Sequence, residues 1–270
     1  MTGGLPNTTV SVFEKIFAAF FNLLLPDDCR LCGQPLTEVS RIPVCPACLA
    51  KPEPLAAEYF CSYCRTPFLN RAPLDAEGRC ELCRRGLRGF DTAYSFGAYE
   101  AELRALIHLY KYGRVRPLAK PLGEMLAAAI PRDCVFDAIV PVPLHWWRRW
   151  QRGFNQSELL ARAVARRYGL PVLGALRRKR ATETQAGLTN ASRRSNVAGA
   201  FAARKKANVA GLRILLIDDV MTTGATAGAC AAALKRAGAR QVTLLTLARV
   251  DRRVALPPLR AASAAAGESE

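Results

Sequence analysis

Two adjacent carboxylates, Asp218 and Asp219, stand between an apolar run and a short segment of small and hydroxyl residues. That segment consists of Thr222, Thr223, Gly224, Ala225 and Thr226. Hydroxyl donors, a glycine without a side chain and the unpaired amides of a following helix are typical of a site for a monophosphate. Carboxylates beside such a site suit sugar hydroxyls, which donate hydrogen bonds. The pattern therefore predicts a site for a ribose 5-phosphate.

The elements that must position these groups are a strand before them and a helix after them. Residues 214–217 are branched and apolar, which predicts a strand buried on both faces. Residues 227–234 predict a helix that ends in a basic turn. We expect Asp218 and Asp219 at the carboxyl end of the strand, where ligands bind in open α/β sheets. The Gly-Lys-Ser/Thr of a Walker loop and the G-x-G-x-x-G of a dinucleotide site do not occur here.

Eight of the ten cysteines form four Cys-x-x-Cys pairs in the amino-terminal third of the chain. The pairs are Cys29 and Cys32, Cys45 and Cys48, Cys61 and Cys64, and Cys80 and Cys83. Two such pairs complete a tetrahedral zinc site of four thiolates. We predict two structural Zn²⁺ sites built from consecutive pairs, although a cross-braced pairing fits the same spacing. Disulfide bonds are the alternative, and they would need an oxidising compartment.

The whole chain has a formal net charge of +17, and the positive charge is concentrated in its second half. Residues 141–213 contain 16 Lys and Arg residues against 2 Asp and Glu residues, whereas residues 26–90 contain 9 against 8. A field of this kind attracts anionic partners such as nucleic acid. The basic half, rather than the cysteine-rich segment, is therefore the candidate surface for DNA.

Tryptophans interleaved with arginines can stack on bases while they bind phosphates. The candidate residues for contact with single-stranded DNA are Trp146, Trp147, Arg148, Arg149, Arg152, Arg177, Arg178, Lys179 and Arg180. The alternative is a helix that packs its aromatic side chains on the core. Because Trp146 and Trp147 are adjacent, they cannot both face inward from one helix. We expect at least one of them near the surface.

The two ends of the chain differ in composition from its centre. Residues 1–25 predict an amphipathic helix that docks on the rest of the protein or, alternatively, rests on a membrane surface. Its apolar run is too short and too interrupted to be an integral membrane segment, and no secretory signal is evident. Residues 251–270 predict a disordered tail. We expect a cytoplasmic protein.

Residues 214–226 resemble the phosphoribosyl pyrophosphate (PRPP) motif of type I phosphoribosyltransferases. Residues 141–144, 152–156 and 193–201 narrow the resemblance to the ComF competence-protein family. The resemblance covers roughly residues 23–248 and implies an α/β protein. A double zinc ribbon over residues 26–89 would precede a type I phosphoribosyltransferase-like domain, with a parallel, Rossmann-like sheet, over residues 90–250.

The resemblance also implies roles for individual residues. It implies a PRPP-binding segment of Asp218, Asp219, Val220, Met221, Thr222, Thr223, Gly224, Ala225 and Thr226. It implies a pyrophosphate loop of Val142, Pro143, Leu144 and His145. Mg²⁺ would accompany PRPP, and the two carboxylates would hold the ribose hydroxyls in ionised form. Thr222 stands where purine-salvage relatives carry an acidic general base, so the catalytic acid or base is unknown.

The same resemblance implies roles for two further parts of the chain. Residues 176–196 lie where a flexible loop closes over PRPP in type I phosphoribosyltransferases. Lys111 lies near the site in the family and is a candidate for phosphate contact. Its alternative, which we favour from the sequence, is an exposed helix end.

Three hypotheses about function stay open at this point, and they do not exclude one another. The first, which we favour, is a phosphoribosyltransferase-like protein that binds PRPP with Mg²⁺ and serves DNA uptake in natural transformation; whether it transfers the sugar phosphate to an acceptor stays open. The second is an accessory factor that binds single-stranded DNA. The third is a non-catalytic module that docks a DNA-uptake helicase or another competence protein.

Overall fold

The computed structural model describes residues 28–36, 40–87, 89–144, 146–179 and 199–250, without the side chains of Trp146, Arg148 and Arg149. The predictions for the helix over residues 1–25, the tail over residues 251–270, His145 and Arg180 lie outside the described residues. None of the described helices combines the length and the apolar composition that crossing a bilayer requires.

The described residues form eight strands and seven α-helices. The strands are β1 (Tyr59–Phe60), β2 (Pro67–Phe68), β3 (Thr92–Ala98), β4 (Ala138–Pro141), β5 (Leu176–Arg178), β6 (Phe201–Ala203), β7 (Arg213–Met221) and β8 (Gln241–Arg249). The helices are α1 (Pro46–Ala50), α2 (Glu81–Arg84), α3 (Ala101–Lys111), α4 (Ala119–Ala128), α5 (Trp146–Arg152), α6 (Gln156–Tyr168) and α7 (Ala225–Arg236), with a 3₁₀ turn at Arg116–Leu118.

The central sheet contains four strands in the order β3-β8-β7-β4, and each neighbouring pair is parallel. In the register of β7 and β8, Leu216 is opposite Leu244 and Asp218 is opposite Thr246. Parallel strands need crossover connections, which place helices on the faces of the sheet. The predicted α/β fold with a parallel sheet is confirmed.

The strand that carries the acidic pair is longer than the sequence indicated. β7 continues to Met221, so Asp218 and Asp219 lie within its last four residues rather than after its end. Helix α7 begins at Ala225, two residues before the predicted start. Gly224 makes this early start possible, because it takes a left-handed conformation with φ +74° immediately before the helix. The turn between strand and helix is therefore very short.

Two apolar clusters cover opposite faces of the sheet, because successive residues of β7 point to opposite sides. Ile214 and Leu216 pack with side chains of α7 on one face. Leu215 and Ile217 pack with side chains of α3, α4 and α6 on the other face. All four β7 residues are fully buried, as the apolar run predicted.

The cysteine-rich segment contributes to both faces of this sheet. The first cysteine cluster (Cys29, Cys32, Cys45 and Cys48) packs through Cys29 and Cys48 on the face of α3. The second cysteine cluster (Cys61, Cys64, Cys80 and Cys83) packs on the face of α7. Between them, the amide of Leu55 donates to the carbonyl of Phe96 in β3 at 2.5 Å. The segment therefore passes along the edge of the sheet, and a domain boundary near residue 90 stays a prediction.

The segment that the resemblance implied to be a flexible loop begins as a strand. Residues 176–178 form β5, which pairs antiparallel with β6. The guanidinium of Arg178 lies 5.4 Å from the centroid of the Phe201 ring. The loop expectation is wrong for these residues, because β6 supplies partners for their backbone. Residues 180–198 lie outside the described part of the chain.

Candidate functional site

A cavity of about 260 Å³ lies at the carboxyl ends of β7 and β8. It is bounded by the last residues of β7, the first turn of α7, the end of α3 and the end of α5. Eight of the nine residues of the predicted PRPP-binding segment line it, all but Thr223. A ligand in this position would meet carboxylates on one side and a helix start on the other.

Asp218 is held in place by two hydrogen bonds. Its Oδ1 accepts from Ser157 Oγ at 3.1 Å and from the amide of Asp219 at 2.9 Å. Burial, followed by the negative charge of Asp219, raises the pKa of Asp218 to about 7. The expectation of two ionised carboxylates therefore needs correction. The raised pKa means that Asp218 holds its proton more readily than an ordinary aspartate does.

Asp219 forms an ion pair with a residue that the sequence placed elsewhere. Lys111 Nζ lies 2.8 Å from Asp219 Oδ1, and the two side chains are only 12% and 15% exposed. The favoured expectation of an exposed helix end is wrong for Lys111, because α3 ends against the cavity. Partial burial strengthens such a pair by lowering the local dielectric constant. Lys111 also brings a positive charge to the place where a phosphate would need one.

The turn between β7 and α7, which we call the phosphate loop (residues 222–226), has a left-handed residue at its centre, a conformation that favours glycine. A Cβ on Gly224 would lie 2.9 Å from Leu87 Cδ1 and 2.9 Å from Met221 Cε. Thr223 is 4% exposed, and its hydroxyl accepts from the amide of Ala225 at 3.4 Å. This hydroxyl therefore stabilises the loop rather than facing the cavity. The helix start supplies amide donors and partial positive charge.

Aromatic and basic side chains form the outer wall of the cavity. The guanidinium of Arg152 lies 5.1 Å from the centroid of the Tyr112 ring, and its Nη1 donates to Gln156 Oε1 at 3.1 Å. On the same helix, Trp147 and Trp150 are 52% and 73% exposed, and their rings stack at 5.3 Å. The expectation of a tryptophan near the surface is confirmed by Trp147.

The other predicted site residues lie away from the cavity or outside the described chain. The amide of Val142 donates to the carbonyl of Ile217 at 2.9 Å, which makes Val142 an extension of the sheet. None of the described pyrophosphate-loop residues, Val142, Pro143 and Leu144, lines the cavity. Among the basic candidates, Arg177 and Lys179 are exposed at β5.

Both cysteine clusters have the dimensions of a tetrahedral metal site. All four sulfur atoms of each cluster lie within 4.8 Å of one another. Sulfur–sulfur distances are 3.8 Å for Cys32 and Cys45, 3.6 Å for Cys64 and Cys80, and 3.7 Å for Cys80 and Cys83. Zn–S bonds of about 2.3 Å give a tetrahedron with edges of about 3.8 Å, whereas a disulfide bond is about 2.05 Å long. The clusters therefore fit metal ions, and they combine consecutive pairs as predicted.

Several residues of the site carried no local signal in the sequence. Ser157 is 61 residues from its partner Asp218, and nothing in the first turn of α6 marks it. Thr246 and Tyr99 reach the cavity through the register of the sheet and the turn after β3. Arg152 was a candidate for DNA contact, and its basic and aromatic surroundings were the only hint of a place in this cavity.

The chain is similar to one family model and to several named bacterial proteins. The model of the phosphoribosyl transferase domain family matches residues 155–261. "Competence protein F" of Haemophilus influenzae is 32% identical over 179 residues, which are 63% of this chain and 78% of that protein. "DNA utilization protein YhgH" of Salmonella typhimurium is 32% identical over 234 residues, which are 84% of this chain and 99% of that protein.

A solved structure of glutamine phosphoribosylpyrophosphate amidotransferase from B. subtilis matches with a TM-score of 0.35 and 25% identity, over 48% of this chain. This chain spans about a quarter of that protein, since the match covers 26% of it. The family assignment instead rests on the two relatives described above and on the parallel sheet with its two cysteine clusters. The chain belongs to the ComF competence-protein family.

Proposed function

We propose that the cavity binds a phosphoribosyl group, as PRPP or ribose 5-phosphate with Mg²⁺, in a protein that serves DNA uptake in natural transformation. One observation carries the proposal: the acidic pair of β7 and the first turn of α7 line the same cavity. The names of the relatives, a competence protein and a DNA utilization protein, support the link to DNA.

Each side of the cavity suits one part of such a ligand. The carboxylates of Asp218 and Asp219 accept hydrogen bonds, and ribose hydroxyls donate them. The phosphate loop and the first turn of α7 offer amides, hydroxyls and partial positive charge to the 5-phosphate. Lys111 and Arg152 add two cationic side chains for further phosphate groups. Bound Mg²⁺ would lower the negative charge of a pyrophosphate group.

Binding and transfer are separable parts of the proposal. In a transfer reaction, an acceptor nucleophile would displace pyrophosphate from the anomeric carbon, and positioning would supply most of the rate. The acceptor would approach from the outer wall, where Tyr112 is 64% exposed. Release of pyrophosphate in the presence of candidate bases, amines or DNA measures this step independently of binding.

Calorimetric titration of the full chain with PRPP and MgCl₂ tests the binding proposal. We expect saturable binding by the wild type and its loss in the Asp218→Ala, Asp219→Ala double variant. Glu77→Gln is the matched control, because Glu77 is an exposed carboxylate that pairs with Arg79. Unchanged binding by the double variant would refute the assignment of the cavity.

A second candidate function, binding of single-stranded DNA, has an observation of its own in its favour. Trp147 and Trp150 offer two exposed, mutually stacked rings on the helix that ends at Arg152. Bases stack on such rings without regard to sequence, and neighbouring arginines bind the phosphates. Strong positive charge over residues 141–213 would attract the strand from a distance.

Fluorescence anisotropy with labelled single-stranded DNA tests this second function. We expect the logarithm of the affinity to fall linearly with the logarithm of the salt concentration, by about 0.7 for each phosphate contacted. Replacing Trp147 and Trp150 by alanine should cost about 1–3 kcal/mol for each base that loses its stacking partner. Replacing the exposed Leu69 by alanine is the control. Salt-independent binding, or equal affinity of the two variants, would argue against a DNA site on α5.

The cysteine clusters complete the proposal. We propose that each cysteine cluster binds one structural Zn²⁺ through its four thiolates, because the positions of the four sulfur atoms suit a tetrahedral metal site. Reduced thiolates persist in the cytoplasm, which is where we place the protein. Docking of a DNA-uptake helicase or another competence protein on the cysteine-rich segment stays a prediction.

A further inference from the structure

We propose that the second cysteine cluster, when it holds its metal ion, positions the phosphate loop through Arg249 and Leu87, so that metal occupancy regulates ligand binding. The inference rests on the proposed function for the ligand part of its test. The expected effects on the metal ion and on the phosphate loop rest on the contacts of Arg249 and Leu87 alone. Arg249 is in this view a positioning residue, which acts on the ligand site through other groups.

Arg249 connects the end of the central sheet to the second cysteine cluster. It is the last residue of β8 and only 3% exposed. Its Nη1 donates to the carbonyl of Cys64 at 2.6 Å, and its Nη2 donates to Thr66 Oγ1 at 2.5 Å. The same Nη2 lies 4.0 Å from Cys64 Sγ. A buried arginine therefore contacts a metal-ligand residue directly.

The charge of Arg249 needs the cluster as its partner. Four thiolates around a divalent metal ion carry a net charge of about −2. Among the described residues, no carboxylate forms an ion pair with Arg249. Loss of the metal ion would remove the centre that holds the four cysteines of the cluster together, so the Cys64 carbonyl and the Thr66 hydroxyl would no longer be fixed in place. Loss of these two hydrogen bonds would allow the end of β8 to shift.

The backbone of Arg249 is part of the ligand cavity's frame. Arg249 is opposite Met221 in the register of β7 and β8, and the next amide, that of Val250, donates to the Met221 carbonyl at 3.0 Å. Its own carbonyl accepts from the amide of Tyr99 at 2.7 Å. Met221 and Tyr99 both line the cavity. A displacement of Arg249 would therefore move Met221 and Tyr99, which are hydrogen-bonded to Val250 and Arg249 and line the cavity.

A second route from the cluster to the loop runs through Leu87. Leu87 follows the last ligand, Cys83, by four residues and is 5% exposed. It packs against Gly224 so closely that a Cβ there would lie 2.9 Å from Leu87 Cδ1. Because interiors are close-packed, the conformation of the phosphate loop and the position of Leu87 depend on each other.

The first cysteine cluster supplies a contrast within the same chain. Its buried members, Cys29 and Cys48, pack with α3 on the opposite face of the sheet. Among the described residues, no hydrogen bond joins its four ligands to β7, β8 or the phosphate loop. Loss of its metal ion should therefore leave the phosphate loop in place.

The first experiment measures zinc release from the full-length, zinc-loaded chain with a chromogenic chelator. We expect Arg249→Gln to release one of two zinc ions about tenfold faster than the wild type, the size of effect that groups around metal ligands have. Arg213→Gln is the matched control, because Arg213 begins β7 at the far end of the sheet and pairs with Asp137. Equal release rates in the two variants would overturn the role of Arg249.

The second experiment uses the wild type alone, so it decides the question even if Arg249→Gln fails to fold. Hydrogen exchange of the amides of residues 221–226 is followed while the two zinc ions are removed in turn. We expect one removal step to increase exchange there and the other to leave it unchanged. Unchanged exchange after both steps would overturn the coupling, whether or not PRPP binds.

The third experiment adds the ligand. Coupling between the affinities of two sites is reciprocal, so saturating PRPP with Mg²⁺ should strengthen the binding of the same zinc ion that controls exchange, measured by competition with a chelator at equilibrium. If PRPP fails to bind the fully loaded protein, the proposed function is wrong while the exchange result still stands. If PRPP binds and the affinity for neither zinc ion increases, the regulatory inference is wrong while the proposed function stands.

Discussion

Asp218 is expected to make ligand binding depend on pH near neutrality. Burial and the charge of Asp219 raise its pKa to about 7. Ribose hydroxyls donate hydrogen bonds, so they favour the ionised carboxylate, and binding displaces a proton from the protonated fraction. The ionised fraction is about one tenth at pH 6 and about nine tenths at pH 8, given that pKa. We therefore expect apparent affinity for PRPP to rise about tenfold over this range and then level off.

The same raised pKa has the opposite effect on folding. The folded state holds the Asp218 proton more tightly than the unfolded state, in which the pKa has its ordinary value of about 3.8. Its contribution to stability is therefore fully present below about pH 4 and is lost as the pH rises through about 7. Stability without ligand and affinity for ligand should thus change in opposite directions over the neutral range.

Calorimetry at pH 6, 7 and 8, in two buffers with different ionisation enthalpies, measures affinity and proton release together. Asp218→Asn is the control, since it retains the size of the side chain but has no proton to lose. The phosphate groups of the ligand titrate equally with both proteins, so the difference between the two profiles belongs to Asp218. Identical pH profiles for wild type and variant would refute the reasoning.

Three further predictions concern the loop, the ion pair and the metal ions. Gly224→Ala should destabilise the protein by more than Gly211→Ala does, and it should weaken PRPP binding. Both glycines have a positive φ (+74° and +73°), but only a Cβ at position 224 would contact neighbouring side chains. The shared backbone strain costs about 1–2 kcal/mol, and equal unfolding free energies would contradict the packing argument. Lys111→Met should move the midpoint of the pH profile upward, because Lys111 lowers the pKa of Asp218; the exposed Lys120→Met should not. Elemental analysis should find about two zinc ions per chain, and a zinc-free protein with disulfide bonds would contradict the metal sites.

Some features of this protein depend on short spacings between residues, and the sequence was sufficient to predict them. Four apolar residues before Asp218 predicted a buried strand, and the small residues after it predicted a turn into a helix. Four Cys-x-x-Cys pairs predicted two clusters of four sulfur atoms. The strand, the turn and each single Cys-x-x-Cys pair depend on neighbours within a few residues, whose mutual distances the covalent chain already restricts.

Long-range placement could not be read in the same way. The sequence put Lys111 at an exposed helix end, whereas the packing of α3 brings it to Asp219. It assigned the hydroxyl of Thr223 to a phosphate, whereas burial turns that hydroxyl to the loop backbone. It contained no sign of Ser157, which reaches Asp218 from another helix. Each of these outcomes depends on how helices pack against the sheet.

The sequence by itself determined which chemical groups the site contains: paired carboxylates, a glycine turn at a helix start, and two sets of thiolates. Only the tertiary structure decided their states and connections, including the raised pKa of Asp218 and the contact of Arg249 with Cys64. The physical reason is that burial and electrostatic coupling depend on distances between segments far apart in the chain. Those distances exist only once the parallel sheet has brought the segments together.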